Sequence, residues 1–153
     1  MAFTTANIGL ALNASADVRT AYQAVWDGLW QQRHLPPALL ELARLRLAAL
    51  HQAPREAALR PALAESTGLD AAKIESTLSG NWYKDAAFSA GERAVLAYTE
   101  VYAQDPEAIS DELAADVLAN YGEPGLVCLT EALGFIDGRI RLALMFSHLG
   151  GAR

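Results

Sequence analysis

RLAALHQAPREAALR, residues 46–60, is the stretch on which the fold turns. A run rich in Ala and Leu reaches His51, breaks at Pro54 and restarts with Arg55, Glu56 and Arg60 close together. Proline is accepted in the first turn of a helix, where its missing N–H leaves no intrahelical bond unmade. The break therefore reads as two helices meeting end to end. The charges beside it are either the solvated joint of that pair or a chemical site built on it.

Outward from this joint, the long segments carry helical rather than alternating periodicity. Asn13, Ser15 or Asp17 can cap a first helix running to about Arg33, in which Val18, Tyr22, Val25, Trp26, Leu29 and Trp30 recur at spacings of three and four. Pro36 and Pro37 start a second helix, ALLELARLRLAAL, ending near Gln52. Pro54 opens a third that reaches Ser66, with Pro61 kinking or dividing it. Asp70 caps a fourth that stops at Gly80, and Ser89 with Glu92 forms an S-x-x-E capping box for a fifth through about Ala103. Ser110 or Asp111 starts a sixth, and Pro124 opens a last helix that runs to Gly150 and Gly151. Val and Ile are sparse and hairpin dipeptides are missing, so the expected fold is all-α: one domain over residues 1–153, a bundle of about six to seven helices.

Composition narrows the function. A net charge of -6 with no basic run argues against nucleic acid, whose binding draws on clustered Lys and Arg. The first residues, MAFTTANIGLALNASADVR, lack the basic start of a signal peptide, and no apolar run approaches a membrane span, so a cytoplasmic protein with no membrane partner is expected. His34, His51 and His148 lie far apart, which argues against a zinc site, and no Gly-rich phosphate loop is present; no metal or cofactor is expected. Gly134 and Gly138, four apart, read as a place of close helix packing. Cys128 is the sole cysteine of the sequence and sits in the apolar run VCLTEALGF, where a thiol behaves as a small buried hydrophobe.

The charges show a pattern. On the second helix Glu41, Arg44, Ala48 and His51 share one stripe of about 80°, with Leu39, Leu42, Ala43, Leu47 and Leu50 opposite. The stripe reads either as a face in water, with Glu41 and Arg44 a weak pair, or as part of a site. Arg46 projects among leucines and must snorkel out or meet a carboxylate. On the last helix Asp137, Arg141 and His148 also share a stripe.

The order of these parts resembles the carboxymuconolactone decarboxylase and alkylhydroperoxidase D-like superfamily. The segments that carry the resemblance are ADVRTAYQAVWDGLW, LPPALLELARLRLAALHQA, TGLDAAKIESTLSG, FSAGERAVLAYTEVY, ISDELAADVLANYGEPGLVCLTEALGF and IDGRIRLALMFSHLG. It implies an all-α fold assembling as a homo-oligomer, a dimer, trimer or hexamer. In the peroxidase branch a glutamate precedes a C-x-x-C-x-x-x-H motif whose thiolates reduce a peroxide. Position by position, Glu41 matches that glutamate, Ala53 and Glu56 stand where the cysteines would be, and Arg60 stands for the histidine. Arg141 matches an arginine often found late in the last helix, with Ile140 in place of the usual asparagine. Dithiol cycling needs two sulfurs, and this sequence has one, far from the motif.

Two readings follow. In the first, the chain keeps a small-molecule pocket and does cofactor-free acid/base work, lyase or isomerase-like, with Glu41, His51, Glu56 and Arg60 as catalytic groups and Arg44, Arg55 and Arg141 as binding groups. These residues would gather at the joint, helped by the N-terminus of the third helix. In the second, the same charges are salt bridges of a non-catalytic oligomer. Alkylhydroperoxidase-type antioxidant activity is the family's label and the reading that the cysteine count disfavours.

Overall fold

A computed structural model describes residues 2–60 and 68–150, and among these residues the regular structure is helical throughout. We number the helices α1 (Ile8–Ala11), α2 (Ala16–Gln31), α3 (Pro37–Leu50), α4 (Pro54–Ala58), α5 (Ala71–Ser79), α6 (Ala90–Gln104) and α7 (Asp111–Gly150). Single 3₁₀ turns cover Leu12–Ala14, Asn81–Tyr83 and Pro106–Ala108.

The boundaries follow local chemistry. Asp70 accepts the Lys73 N–H at 2.7 Å to start α5, which ends at Gly80 in the left-handed conformation. Ser89 and Glu92 close both bonds of the capping box on α6. α7 is broken at Gly122, whose φ of 67° is open to glycine and strained for other residues, and Pro124 then sits in the first turn of the second limb. α4 is shorter than the sequence suggests: Leu59 is extended, one residue ahead of the Arg60–Pro61 step where helical geometry is disfavoured. The expected continuation to Ser66 lies outside the described residues.

α3 is the central helix, packed by α4, α5, α6 and α7. Its residues from Leu39 to Leu45, together with Leu47 and Ala48, are all buried. The stripe of Glu41, Arg44 and Ala48 is therefore not a face in water: each is 0 % exposed. One core joins Leu39, Leu40, Ala43 and Leu47 to Val95, Leu133 and Ile136, and a smaller one joins Leu42 to Trp82, Phe88 and Leu96. Arg46 meets a carboxylate: its Nε donates to Glu100 Oε1 at 2.6 Å, and Trp82 Nε1 donates to the same oxygen at 2.9 Å. Arg46 Nη1 also reaches the carbonyls of Thr77 and Leu78 at the end of α5, tying that helix to α3.

Two expectations are corrected. Val18 and Val25 on α2 are half exposed, and only Trp26 and Trp30 of that helix are buried. Gly138 faces open space and a Cβ on Gly134 would make only ordinary contact with Tyr102; close approach occurs instead at Gly91 and Gly125, where a Cβ would come within 2.4 Å of Tyr121.

Candidate functional site

α3 ends in a Schellman pattern. The N–H of Ala53 donates to Ala48 O at 2.9 Å and that of Gln52 to Ala49 O at 3.0 Å, with Gln52 in the left-handed region at φ 52° where glycine is usual. Pro54 at the first turn of α4 then redirects the chain. The result buries Ala53 and Glu56 while Arg55 stays exposed.

Behind this joint lies a network of interior charge. Arg44 grips Glu41 as a fork, Nε to Oε2 at 2.8 Å and Nη2 to Oε1 at 2.9 Å. Its remaining donors go to carbonyls of the α4 segment, Nη1 to Glu56 O at 2.7 Å and Nη2 to Leu59 O. Arg60 Nε approaches Glu41 Oε1 at 3.5 Å. The Glu56 carboxylate is held by one residue near the chain start: Thr5 N–H donates to Oε1 at 2.7 Å and Thr5 Oγ1 to Oε2 at 2.8 Å. Thr5 in turn accepts from Arg139 Nη2 through its carbonyl. Arg139 is buried with its guanidinium 4.2 Å from the Trp26 ring centre and near Tyr22 and Phe135. Burial pushes its pKa down to about 10, against the charges of Tyr22, Glu56 and Asp27.

A second cluster lies nearer water. His51 Nε2 meets Asp137 Oδ1, and Arg141 Nε donates to Asp137 Oδ2 at 2.7 Å, with Arg141 itself mostly exposed. Burial, helped by the Asp137 carboxylate, raises the nearby Tyr102 hydroxyl above its ordinary range. Cys128 is half buried against the main core, and burial raises its thiol, which favours the unreactive form.

The site residues named from sequence thus fall in three places. Glu41, Arg44 and Glu56 come together inside, with the partly exposed Arg60 at their edge; His51 and Arg141 come together through Asp137; Arg55 stands on the surface. α4, at five residues, brings little of the helix dipole expected at its start. Sequence reasoning missed Thr5 and Arg139. Arg139 had a signal, because it follows Ala132 and Ile136 at i+7 and i+3 on the apolar stripe of α7; Thr5 had none.

Above the joint is a partly enclosed, almost wholly apolar cavity of about 190 Å³, bounded by Ala53, Pro54 and Glu56 on one side, Ala143 and Leu144 on the other, and Phe3. Arg55 and Ser147 line it as well. A wider, more open groove of about 440 Å³ runs past Ala49, Gln52 and Leu78.

Among the described residues, seven helices centre on a buried α3 with the break at Pro54, and the fold they make is alkylhydroperoxidase D-like. One solved structure that it resembles is the crystal structure of an Agrobacterium tumefaciens protein of unknown function, offered as a candidate antioxidant defence protein AhpD. It matches with a TM-score of 0.74 at 19% sequence identity, over 89% of this chain and 92% of that one. No protein-family model matches the chain, and a search of the curated proteins gives no match. No helix among the described residues is long and apolar enough to cross a membrane.

Proposed function

We propose that this protein binds a small molecule and works without a redox dithiol, holding its ligand in the cavity over Ala53–Glu56. The observation that carries this reading is the position of that cavity. It opens at Ala53 and Glu56, the two residues where the resemblance places the reactive sulfurs, and the Glu56 carboxylate is already held by Thr5. Its volume of about 190 Å³ is somewhat above the ~150 Å³ apolar cavity that takes benzene, so the ligand's apolar part is the size of one ring.

On this reading an acid/base step falls to His51, which meets Asp137, because both oxygens of Glu41 and of Glu56 are occupied by donors inside the protein. Association into a homo-oligomer belongs to the same reading: Val25, Val127 and Leu149 are apolar side chains left about half exposed or more.

The test is a titration with benzyl alcohol followed by calorimetry. Saturable one-site binding is expected, weakened at least tenfold by Ala143→Leu, which fills the cavity from α7. Equal binding by the two proteins would refute the site.

A further inference from the structure

Glu56 and Arg139 carry opposite charges, are 2 % and 1 % exposed, and are bridged by a single residue, Thr5. Thr5 turns two donors toward the carboxylate and one acceptor toward the guanidinium. We infer that residues 3–5 are a built-in stand-in for the ligand's polar end, and that the ligand is a small α-hydroxy or α-amino carboxylate with an apolar body. This rests on the proposed cavity site and extends it.

Three observations converge. Arg139 offers more than Thr5 uses: Nε and Nη1 are buried with no hydrogen-bond partner among the described residues. Buried polar groups are seldom left so, and a guanidinium matches a carboxylate through two parallel bonds that one amide carbonyl cannot make. The guanidinium of Arg139 sits on Trp26 with Tyr22 and Phe135 nearby, which limits how far its polar edge can turn away. Finally, Phe3 borders the cavity, so the strap carries an apolar ring and a donor-acceptor set two residues apart, as such a ligand would.

Besides the three bonds of Thr5, residues 3–5 are tied by a local turn between Thr4 and Asn7 and by Phe3. Phe3 N–H donates to Ser147 Oγ at 2.9 Å, that hydroxyl donates to Phe3 O at 3.0 Å, and the Phe3 ring leans on Phe146 at 5.6 Å between centres. A ligand whose carboxylate takes two donors of Arg139 gains one bond there that Thr5 lacks; its amino group can replace both donors that Thr5 gives Glu56, and a hydroxyl one of them. Displacing the strap lowers the apparent affinity by the fraction of time the strap is closed.

The experiment compares mandelate, which has ring, hydroxyl and carboxylate, with benzyl alcohol, which lacks the carboxylate. Each is titrated into the full chain and into Phe3→Ala, with folding checked by circular dichroism and strap amides followed by hydrogen exchange. Mandelate is expected to bind Phe3→Ala at least tenfold more tightly than the unaltered chain, to bind that variant at least tenfold more tightly than benzyl alcohol does, and to speed exchange at Thr5 on saturation. Mandelate binding no better than benzyl alcohol, or leaving Thr5 exchange unchanged, overturns the ligand class. If benzyl alcohol still binds and Ala143→Leu still blocks it, only this inference falls; if benzyl alcohol does not bind, the cavity site falls with it.

Discussion

Glu41–Arg44 and Asp137–Arg141 are the same kind of pair, a carboxylate and a guanidinium about one helical turn apart, closed at 2.8 Å and 2.7 Å. The first is 0 % exposed on both sides, whereas Arg141 is 61 % exposed. Contact distance does not separate them; water does. Inside, each charge has lost its hydration and depends on its partner, so removing one strands the other. At the rim, solvent takes over whatever the partner leaves, and the pair adds little. The same division sorts the candidate chemistry. The interior charges hold α3 to the α4 segment, while the His51 cluster keeps a partial contact with water.

The largest effect that this comparison predicts is from Arg44→Met. Among the described residues it leaves the Glu41 carboxylate with the distant Arg60 contact alone, and it should cost about 3–5 kcal/mol in urea unfolding. Pairing it with Glu41→Leu should recover most of that loss, because a packed apolar pair replaces a buried ionic one at little cost. A double variant no more stable than Arg44→Met would mean that the bonds to Glu56 O and Leu59 O matter more than the ion pair.

Lys73–Glu92 is an intermediate case, closed at 2.7 Å with both side chains partly exposed. Burial works to raise the Glu92 carboxyl, but the Lys73 ammonium and the Ser89 backbone N–H outweigh it and hold the group below its ordinary 4.5. A depressed acid stabilises fully above its unfolded value and loses that contribution as pH falls through the folded one. Glu92→Gln should therefore flatten the fall in melting temperature below pH 4.5 while lowering stability modestly at neutral pH. Smallest of all, Arg141→Met should cost less than about 1 kcal/mol, and that cost should shrink in high salt.

Much of the fold was legible because caps and breaks are local. Asp70 with Gly80, Ser89 with Glu92, and Gly122 with Pro124 act within a few residues of themselves, and the structure places each where its chemistry directs. The interior of α3 was harder. A helix buried on all sides shows no solvent stripe, so the spacing of Glu41 and Arg44 could not reveal which medium they face. Arg46 and Arg139 both interrupt apolar registers, which predicts a polar partner for each: Arg46 meets the Glu100 carboxylate and Arg139 the Thr5 carbonyl. What no pattern in the sequence encodes is the closure of Thr5 on Glu56, a contact between residues 51 apart whose partners are each unremarkable alone.

The most direct test of the central claim is a crystal of the protein soaked with iodobenzene and measured for anomalous scattering from iodine. The account predicts a principal peak in van der Waals contact with Ala53, Ala143 and Leu144, and its loss in Ala143→Leu. Iodine confined to the open groove by Ala49 and Gln52, or found only on the outer surface, would contradict it.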